Sequence, residues 1–489
     1  MQDGTLLAAV DLGSNSFRLE IGRYEHGHIQ RVHYLKETVR QGAGLDEARN
    51  LSPQALQRGW DCLERFAERL QGVAPAQVRA VATQTLREAR NRDVFIARGN
   101  ALLGHSIEVV SGPEEARLIY QGVSHLLPPS PERRLVVDIG GRSTELILGQ
   151  QCQAREMVSL RLGSVAWSAR FFAEGELTAR AFGDAQTAAR AQIDEVLAVF
   201  RPGLWDAVYG SSGTVGAVGD ILTQSGRTAG RIGRADLLWL EQQLLRAGHA
   251  GRVQLAGLKD DRRPVIGGGV SVLLALFDAL DIEDMQVAQG ALRQGVLYDM
   301  VSRDSPATDL RSAAVTALSQ RFGVDEPQAQ RVADVATRLF AQIAPAQEGP
   351  ARQLGWAAQL HEVGCRIAHS GYHRHGAYVL ENTDAAGFAQ GELQSLARLV
   401  RAHRGKLRKL DLDWEDTAFV LQLACLRLAV ALCHARCTPD LEGLRLQRKG
   451  ERLQLCTRSG WADAYPQSAH LLREEGADWQ RTSWTLSVE

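Results

Sequence analysis

The chemistry-bearing residues of this chain concentrate in short turns. VDIGGRSTELILG (137–149) runs an acid, Asp138, into the pair Gly140–Gly141, then into Arg142, Ser143, Thr144 and Glu145. Glycines and hydroxyl residues in a tight turn offer N–H and O–H groups to phosphate oxygens. If residues 140–143 form the turn of a hairpin, Ile139 faces Thr144 and Asp138 faces Glu145, with Cβ atoms about 5 Å apart. Two carboxylates that close are unfavourable without a cation between them, so the pair predicts a divalent metal site.

A second stretch, VDLGSNSFRLEIG (10–22), aligns with the first without gaps and is identical at six positions. It carries Ser14 and Asn15 at its turn and places Arg18 where the other has Glu145, so Asp11 faces a cation and is self-neutralised. The duplication predicts two related α/β halves facing across a cleft. The second half is built for metal, the first for positioning phosphate. A third small-residue loop, in YGSSGTVGAV (209–218), sets Ser211, Ser212, Gly213 and Thr214 at a helix N-terminus, a ready anion site. Arg142 sits at the tip of its turn, where a third small residue would let the backbone approach most closely. Its Cβ requires the turn to avoid glycine-dependent angles. Its guanidinium is expected to point into or along the cleft and add charge there; the alternative is an exposed tip residue.

The elements that must position these turns are legible around them. SPQALQRGWDCLERFAERLQG (52–72) has Ser52 as N-cap, Pro53 at the first helical position and helical apolar spacing. QVRAVAT (77–83) reads as a strand, and a helix begins at Thr85. HSIEVVSGPEEARLIYQGVSHLL (105–127) reads as a strand, a Ser-Gly-Pro turn and a helix opening with Glu114 and Glu115. The proline-rich PPSPERR (128–134) links the two halves. WDAVYGSSGTVGAVGDIL (205–222) repeats the strand, loop, helix pattern, and MQVAQGALRQGVLYDM (285–300) closes the half. From about residue 305 the pattern turns helical, and the last segment alternates like strands. The expected division is 1–127, 128–304, 305–440 and 441–489.

Composition bounds the rest. With 489 residues the chain exceeds one core. A formal net charge of −1 gives no global attraction for DNA or an anionic membrane. Seven cysteines without regular short spacing argue for a reducing cytoplasm over a disulfide scaffold. The apolar stretch 418–436 is broken by Gln422 and Arg427, so it predicts a buried helix and no integral membrane segment. Cys433, His434 and Cys437 close that helix, and core thiols are the expected reading.

Taken in order, VDLGSNSFRLEIG, ATQTLREA (82–89), VVSGPEEARLIYQGV (109–123), VVDIGGRSTELILG, SLRLGSV (159–165), YGSSGTVGAV, LHEVGCRIAHSGYHRHGAYVLENTDAAGF (360–388) and LVRAHRGK (399–406) resemble the exopolyphosphatase and guanosine pentaphosphate phosphohydrolase family. The resemblance covers most of the chain. It implies an α/β fold of two actin-like (ribonuclease H-like) domains around a cleft, then an all-α HD-like domain and a small C-terminal β-containing cap. It also implies Mg²⁺ or another divalent cation on Asp138 and Glu145, with a monovalent cation left open, and Glu115 of the EEAR motif activating water. Glu114 stays open as an alternative, since neighbours on a helix lie about 100° apart and only one points squarely at a site. Phosphate would be met by Ser14, Asn15, Arg87, Gly140, Gly141, Arg142, Ser143, Thr144, Ser164, Ser211, Ser212, Gly213 and Thr214. A homodimer through the C-terminal domains is implied as well.

In the C-terminal part the family is related to metal-dependent phosphohydrolases with a His-Asp pair. Here the pair is His361-Glu362, followed by His369, His373, His375 and His403, and structural or substrate-contacting histidines are expected instead of a second metal centre. VRAHRGKLRKL (400–410) gathers Arg401, Arg404, Lys406, Arg408 and Lys409, expected as a channel wall guiding the distal part of a polyphosphate chain. The expected activity is a Mg²⁺-dependent exopolyphosphatase releasing orthophosphate from chain ends, with a guanosine pentaphosphate 5′-phosphohydrolase as the alternative. A kinase of the same fold is less favoured: GGGVS (267–271) could serve an adenosine pocket, but Glu115 would then lack a purpose. A non-enzymatic sensor would lack the metal pair, which is present.

Overall fold

A computed structural model describes residues 1–303 and 309–489. They form two compact units, Met1–Asp309 and Leu310–Glu489. The boundary expected between residues 304 and 305 lies outside the described residues.

The first unit repeats one design. Strands β1 (Leu6–Leu12), β2 (Phe17–Glu25), β3 (His28–Glu37), β4 (Val78–Ala82) and β5 (Ile107–Val109) form a sheet of order β3-β2-β1-β4-β5. Strands β6 (Arg133–Ile139), β7 (Thr144–Gln150), β8 (Gln153–Leu160), β9 (Ala207–Ser211), β10 (Arg231–Gly233) and β11 (Asp284–Val287) form the second, of order β10-β11-β9-β6-β7-β8. Read from β8, that is the first order again with one strand added at the edge. Directions match too: β1 is antiparallel to β2 and parallel to β4, as β6 is to β7 and β9. Each outer hairpin shifts register at the aligned glycine, between Ile21 and Gly22 in one and between Leu148 and Gly149 in the other. A Cβ would collide with Ile29 at Gly22 and with Tyr120 at Gly149, so both bends require glycine.

The helix Pro53–Leu70 starts as its sequence predicts, with Ser52 Oγ accepting from the Ala55 amide at 3.3 Å. The helix Gly112–His125 is capped by Ser111, whose Oγ accepts from the Glu114 amide at 3.2 Å. It packs against the helix Leu292–Arg303, and the two carry a core of their own between the sheets, with Leu118, Tyr120, Val136, Ile147 and Val296 buried in it. The apolar faces of the two sheets fill separate cores.

The second unit is mainly helical and ends in a three-stranded sheet, β12 (Arg445–Lys449), β13 (Arg452–Cys456) and β14 (Thr485–Val488). Trp461, Trp479 and Trp484 from this end share one continuous core with the helices. The helix Thr417–Leu432 is buried nearly all round. Its two polar interruptions are satisfied: Gln422 Nε2 donates to the Pro350 carbonyl at 2.8 Å and Arg427 Nη1 to that of Ala402 at 2.8 Å. Among the described residues no helix is long and apolar enough to cross a membrane. Cys433 is buried as expected, whereas Cys437 is exposed beyond the helix end, which corrects its reading as a core thiol.

Candidate active site

The hairpin register is the expected one. Ile139 pairs with Thr144 and Asp138 with Glu145, and in the other half Asp11 pairs with Arg18, whose Nη1 lies 3.2 Å from its carboxylate. The two turns meet tip to tip, since a Cβ on Gly141 would stand 3.2 Å from Ser14 Cβ and 3.6 Å from the Asn15 amide nitrogen. Residues 140–143 hold no positive φ, so Arg142 fits its turn without strain.

Between the halves lies a cleft of about 420 Å³. Of the expected residues, Ser14, Asn15, Glu115, Asp138, Gly140, Gly141, Ser143, Ser212 and Gly213 line it. Asn15 Nδ2 is buried there with no partner, a donor without an acceptor. Others form the layer behind. Thr144 Oγ1 donates to the Leu162 carbonyl at 2.6 Å, Ser211 Oγ to Gly290 at 3.0 Å and Ser164 Oγ to Gly140 at 3.2 Å. Thr214 is buried beneath the turn. Glu145 is buried as well, and accepts from Ser159 Oγ at 2.7 Å.

Two arginines depart from expectation. Arg142 does not point into or along the cleft: its Nη2 lies 2.9 Å from Glu88 and its Nη1 donates to the Gly42 carbonyl at 3.0 Å, because these acceptors stand beside the turn tip. It is also only 24% exposed at its side chain, so the exposed-tip alternative fails too. Arg87 is likewise outside the cleft lining, with Nη1 on Glu115 at 2.6 Å and on the Val110 carbonyl at 3.0 Å. Glu114 turns away from the cleft and takes both Arg117 contacts at 2.8 Å, leaving Glu115 as the glutamate that faces it.

The buried carboxylates resist ionisation together. Burial raises Asp138 to about 6, with Ser211 opposing and Glu115 adding to the rise. Burial, then Glu115 and Asp138, push Glu145 well above the usual carboxylate range. Burial raises Glu115 too, against the pull of Arg87. Such a cluster suits a divalent cation, whose charge would take the place of the protons these carboxyls retain. Among the described residues no three His, Cys, Asp or Glu side chains gather as a metal cage. A Mg²⁺ held by two carboxylates, completed by water and phosphate, needs none.

The cleft also holds cations that sequence reasoning missed: Lys36, Lys259, Arg262 and Arg293, with Arg18, which was read only as neutralising Asp11. Arg262 lies against Gly213, where a Cβ would collide with its guanidinium. Burial, then Arg18, lower its pKa. The signal was the charged run LKDDRRP (258–264), but no periodicity says which of its charges turns inward.

In the second unit Arg401, Arg404, Lys406, Arg408 and Lys409 are all exposed. Arg404 and Lys406 line a separate cavity of about 710 Å³ with His361, His369 and His403; Arg401, Arg408 and Lys409 do not. His361 and His403 are buried, with Nδ1 atoms 2.6 Å and 2.5 Å from the carbonyls of Ala358 and Val400. Glu362 pairs with Arg436 at 2.7 Å.

Residues 21–304 match the Ppx/GppA phosphatase family, and residues 310–476 match domain III of that family. A Vibrio vulnificus (strain YJ016) protein named guanosine-5′-triphosphate,3′-diphosphate pyrophosphatase is 38% identical over 493 residues, spanning 99% of this chain and 98% of its own. One of the same name from Vibrio cholerae serotype O1 (strain ATCC 39541 / Classical Ogawa 395 / O395) is 39% identical over 491 residues, with 99% and 98% covered. The solved structure of an exopolyphosphatase from Cytophaga hutchinsonii ATCC 33406 superimposes with a TM-score of 0.55 at 22% identity, over 61% of this chain and 98% of its own, and speaks for the shared actin-like fold. The chain belongs to the Ppx/GppA phosphatase family.

Proposed function

We propose that this protein is a guanosine pentaphosphate 5′-phosphohydrolase, releasing the terminal 5′ phosphate as orthophosphate. The carrying observation is the cleft itself, which sets buried Glu115 and Asp138, the latter paired with buried Glu145 behind it, beside small-residue turns and a cationic wall. The names of the full-length relatives favour the nucleotide over the polyphosphate first expected. So does Asp220 on the cleft wall. Polyphosphate is anionic along its length and gains nothing from a carboxylate, whereas a guanine edge carries N–H donors that a carboxylate accepts.

Asp138 and Glu145 would hold Mg²⁺ or a similar divalent ion, which when bound neutralises phosphate oxygens. The turns 13–16, 140–143 and 212–213 hold the terminal phosphoryl group in place, with Asn15 Nδ2 as one ready donor. Glu115 orients a water in line with the terminal P–O bond and takes its proton. The water oxygen bonds to phosphorus, the bridging P–O bond breaks, and the electron pair leaves with the guanosine tetraphosphate. The same reading takes the second unit as the HD-like helical domain and its end as the cap. It also makes the protein a cytoplasmic homodimer.

The test is orthophosphate release from guanosine pentaphosphate and from long polyphosphate, with and without Mg²⁺, for wild type and Glu115→Gln. Higher kcat/KM on the nucleotide, lost without Mg²⁺ and in Glu115→Gln, is expected. Higher kcat/KM on polyphosphate would make this an exopolyphosphatase, the second reading, which the exposed cations at 401–409 favour.

A further inference from the structure

An unbroken series of hydrogen bonds runs from the tip of the phosphate turn to Glu115. Arg142 Nη2 and Nε lie 2.9 Å and 3.2 Å from Glu88 Oε2. Gln84 Nε2 donates to Glu88 Oε1 at 2.7 Å. Gln84 Oε1 accepts from Arg87 Nη2 at 2.6 Å and from Arg87 Nε at 3.1 Å. Arg87 Nη1 then reaches Glu115 Oε2 at 2.6 Å. The series joins the two halves beside the cleft, for Arg142 belongs to the second half and the other four residues to the first; of the five only Glu115 lines the cleft.

The order of groups leaves one solution. A guanidinium only donates and a carboxylate only accepts. An amide between them satisfies both only with its oxygen toward Arg87 and its nitrogen toward Glu88. Glu88 therefore fixes the Gln84 amide, and Gln84 fixes the Nε/Nη2 edge of the Arg87 guanidinium. Its Nη1, also held by the Val110 carbonyl, is directed at Glu115. Arg142 holds Glu88 in turn and is itself anchored by the Gly42 carbonyl at 3.0 Å. Its backbone packs on Gly163, where any Cβ would collide with it.

We propose that Arg142, Glu88 and Gln84 are positioning residues that act through Arg87 to aim the Glu115 carboxylate, so that the turn that holds phosphate and the group that activates water are set together. The proposal rests on the reading of Glu115 as the water-activating base. A carboxylate misplaced by a fraction of an ångström loses rate without losing substrate affinity.

The experiment measures kcat and KM on guanosine pentaphosphate, or on long polyphosphate if that is the better substrate. The variants are Gln84→Leu, Glu88→Gln, Arg142→Gln and Arg142→Lys, each in the wild-type and Glu115→Gln backgrounds, with thermal unfolding of each as a check on folding. Gln84→Leu, Glu88→Gln and Arg142→Gln are expected to lower kcat about tenfold with KM within about twofold, and Arg142→Lys to recover part of the loss. In the Glu115→Gln background the same substitutions should lower the residual rate no further. Equal losses in both backgrounds, a rise in KM alone, or no effect overturns the relay while leaving Glu115 as the base. Wild-type kcat in Glu115→Gln overturns both.

Discussion

Arg87 and Glu115 form an ion pair at 2.6 Å in which both side chains are about nine-tenths buried, at 11% and 9% exposure. Burial raises the Glu115 pKa and Arg87 opposes it. Glu115→Gln removes the proton acceptor and should lower kcat by about 10²–10⁴-fold with KM little changed. Arg87→Ala leaves burial unopposed, so Glu115 keeps its proton to higher pH. The acid limb of the kcat/KM profile should move upward in pH, which a pH–rate series on the variant reads directly.

Asp138 should trade stability for function. Its folded pKa of about 6 lies above the ordinary 3.8, so the native state binds the proton more tightly than the unfolded chain. Stability is then lost as pH rises from about 4 to 6, by on the order of 3 kcal/mol. Asp138→Asn, measured with a chelator present, should raise Tm at pH 8 and lose that gain near pH 4. Activity should vanish at every pH.

Arg262 is a desolvated cation at the N-terminus of the helix Ser212–Gln224, beside Arg18 and with Asp261 no nearer than 4.0 Å. Its position is unfavourable until an anion arrives. Arg262→Gln should raise KM about tenfold and weaken the salt dependence of binding, without lowering Tm.

The histidine pair of the second unit should respond to acid. Burial lowers both pKa values; Glu362 opposes this at His361, while His361, His373 and Arg427 add to it at His403. Tyr372 Oη faces His403 Nε2 at 3.4 Å, and Arg436 stands beside Glu362. Below the unfolded value of about 6.5 the unfolded chain binds more protons, so stability falls as pH falls. Denaturant titrations between pH 7 and 5 should show this loss, and His403→Gln should reduce its slope.

Two glycines should respond in opposite senses to alanine. Gly149→Ala drives a Cβ into Tyr120 and should destabilise by about 1–3 kcal/mol. Gly183 lies in the helix Ala179–Asp194 with nothing within 4 Å of a Cβ, and Gly183→Ala should stabilise by about 0.5–1 kcal/mol. Denaturant midpoints measure both.

Local pattern made much of this legible. The Asp138–Glu145 pairing followed from a two-residue side-chain period and a turn of known length, and the internal repeat foretold two related halves. Ser52 announced its helix because a cap acts within three residues, while Ser111, read as part of a turn, is the cap of the helix that follows it. Arg142 was misread for the opposite reason. Its partners, Glu88 and the Gly42 carbonyl, lie far away in sequence, and no spacing rule reaches them. Lys36, Lys259 and Arg262 escaped for the same cause: a cation in a loop shows its charge in the sequence but not its direction. The expectation of polyphosphate leaned on the cations at 401–409 because their charge is visible in the sequence, whereas the place of Asp220 on the cleft wall is not.

The bends at Gly22 and Gly149 bear on how copies of this chain avoid one another. Each sheet of the first unit ends in two open edges, and an open edge can recruit a strand from another molecule. Strands β5 and β10, at one pair of edges, are three residues each, too short to template an addition. Strands β3 and β8, at the other pair, are long, but each joins its neighbour through the register shift and carries charges such as Arg31 and Lys36 or Arg155 and Glu156. The shift twists the long edges out of the flat geometry that fibrils need. Glycines duplicated along with the phosphate turns therefore also serve as a safeguard against aggregation at both sheets.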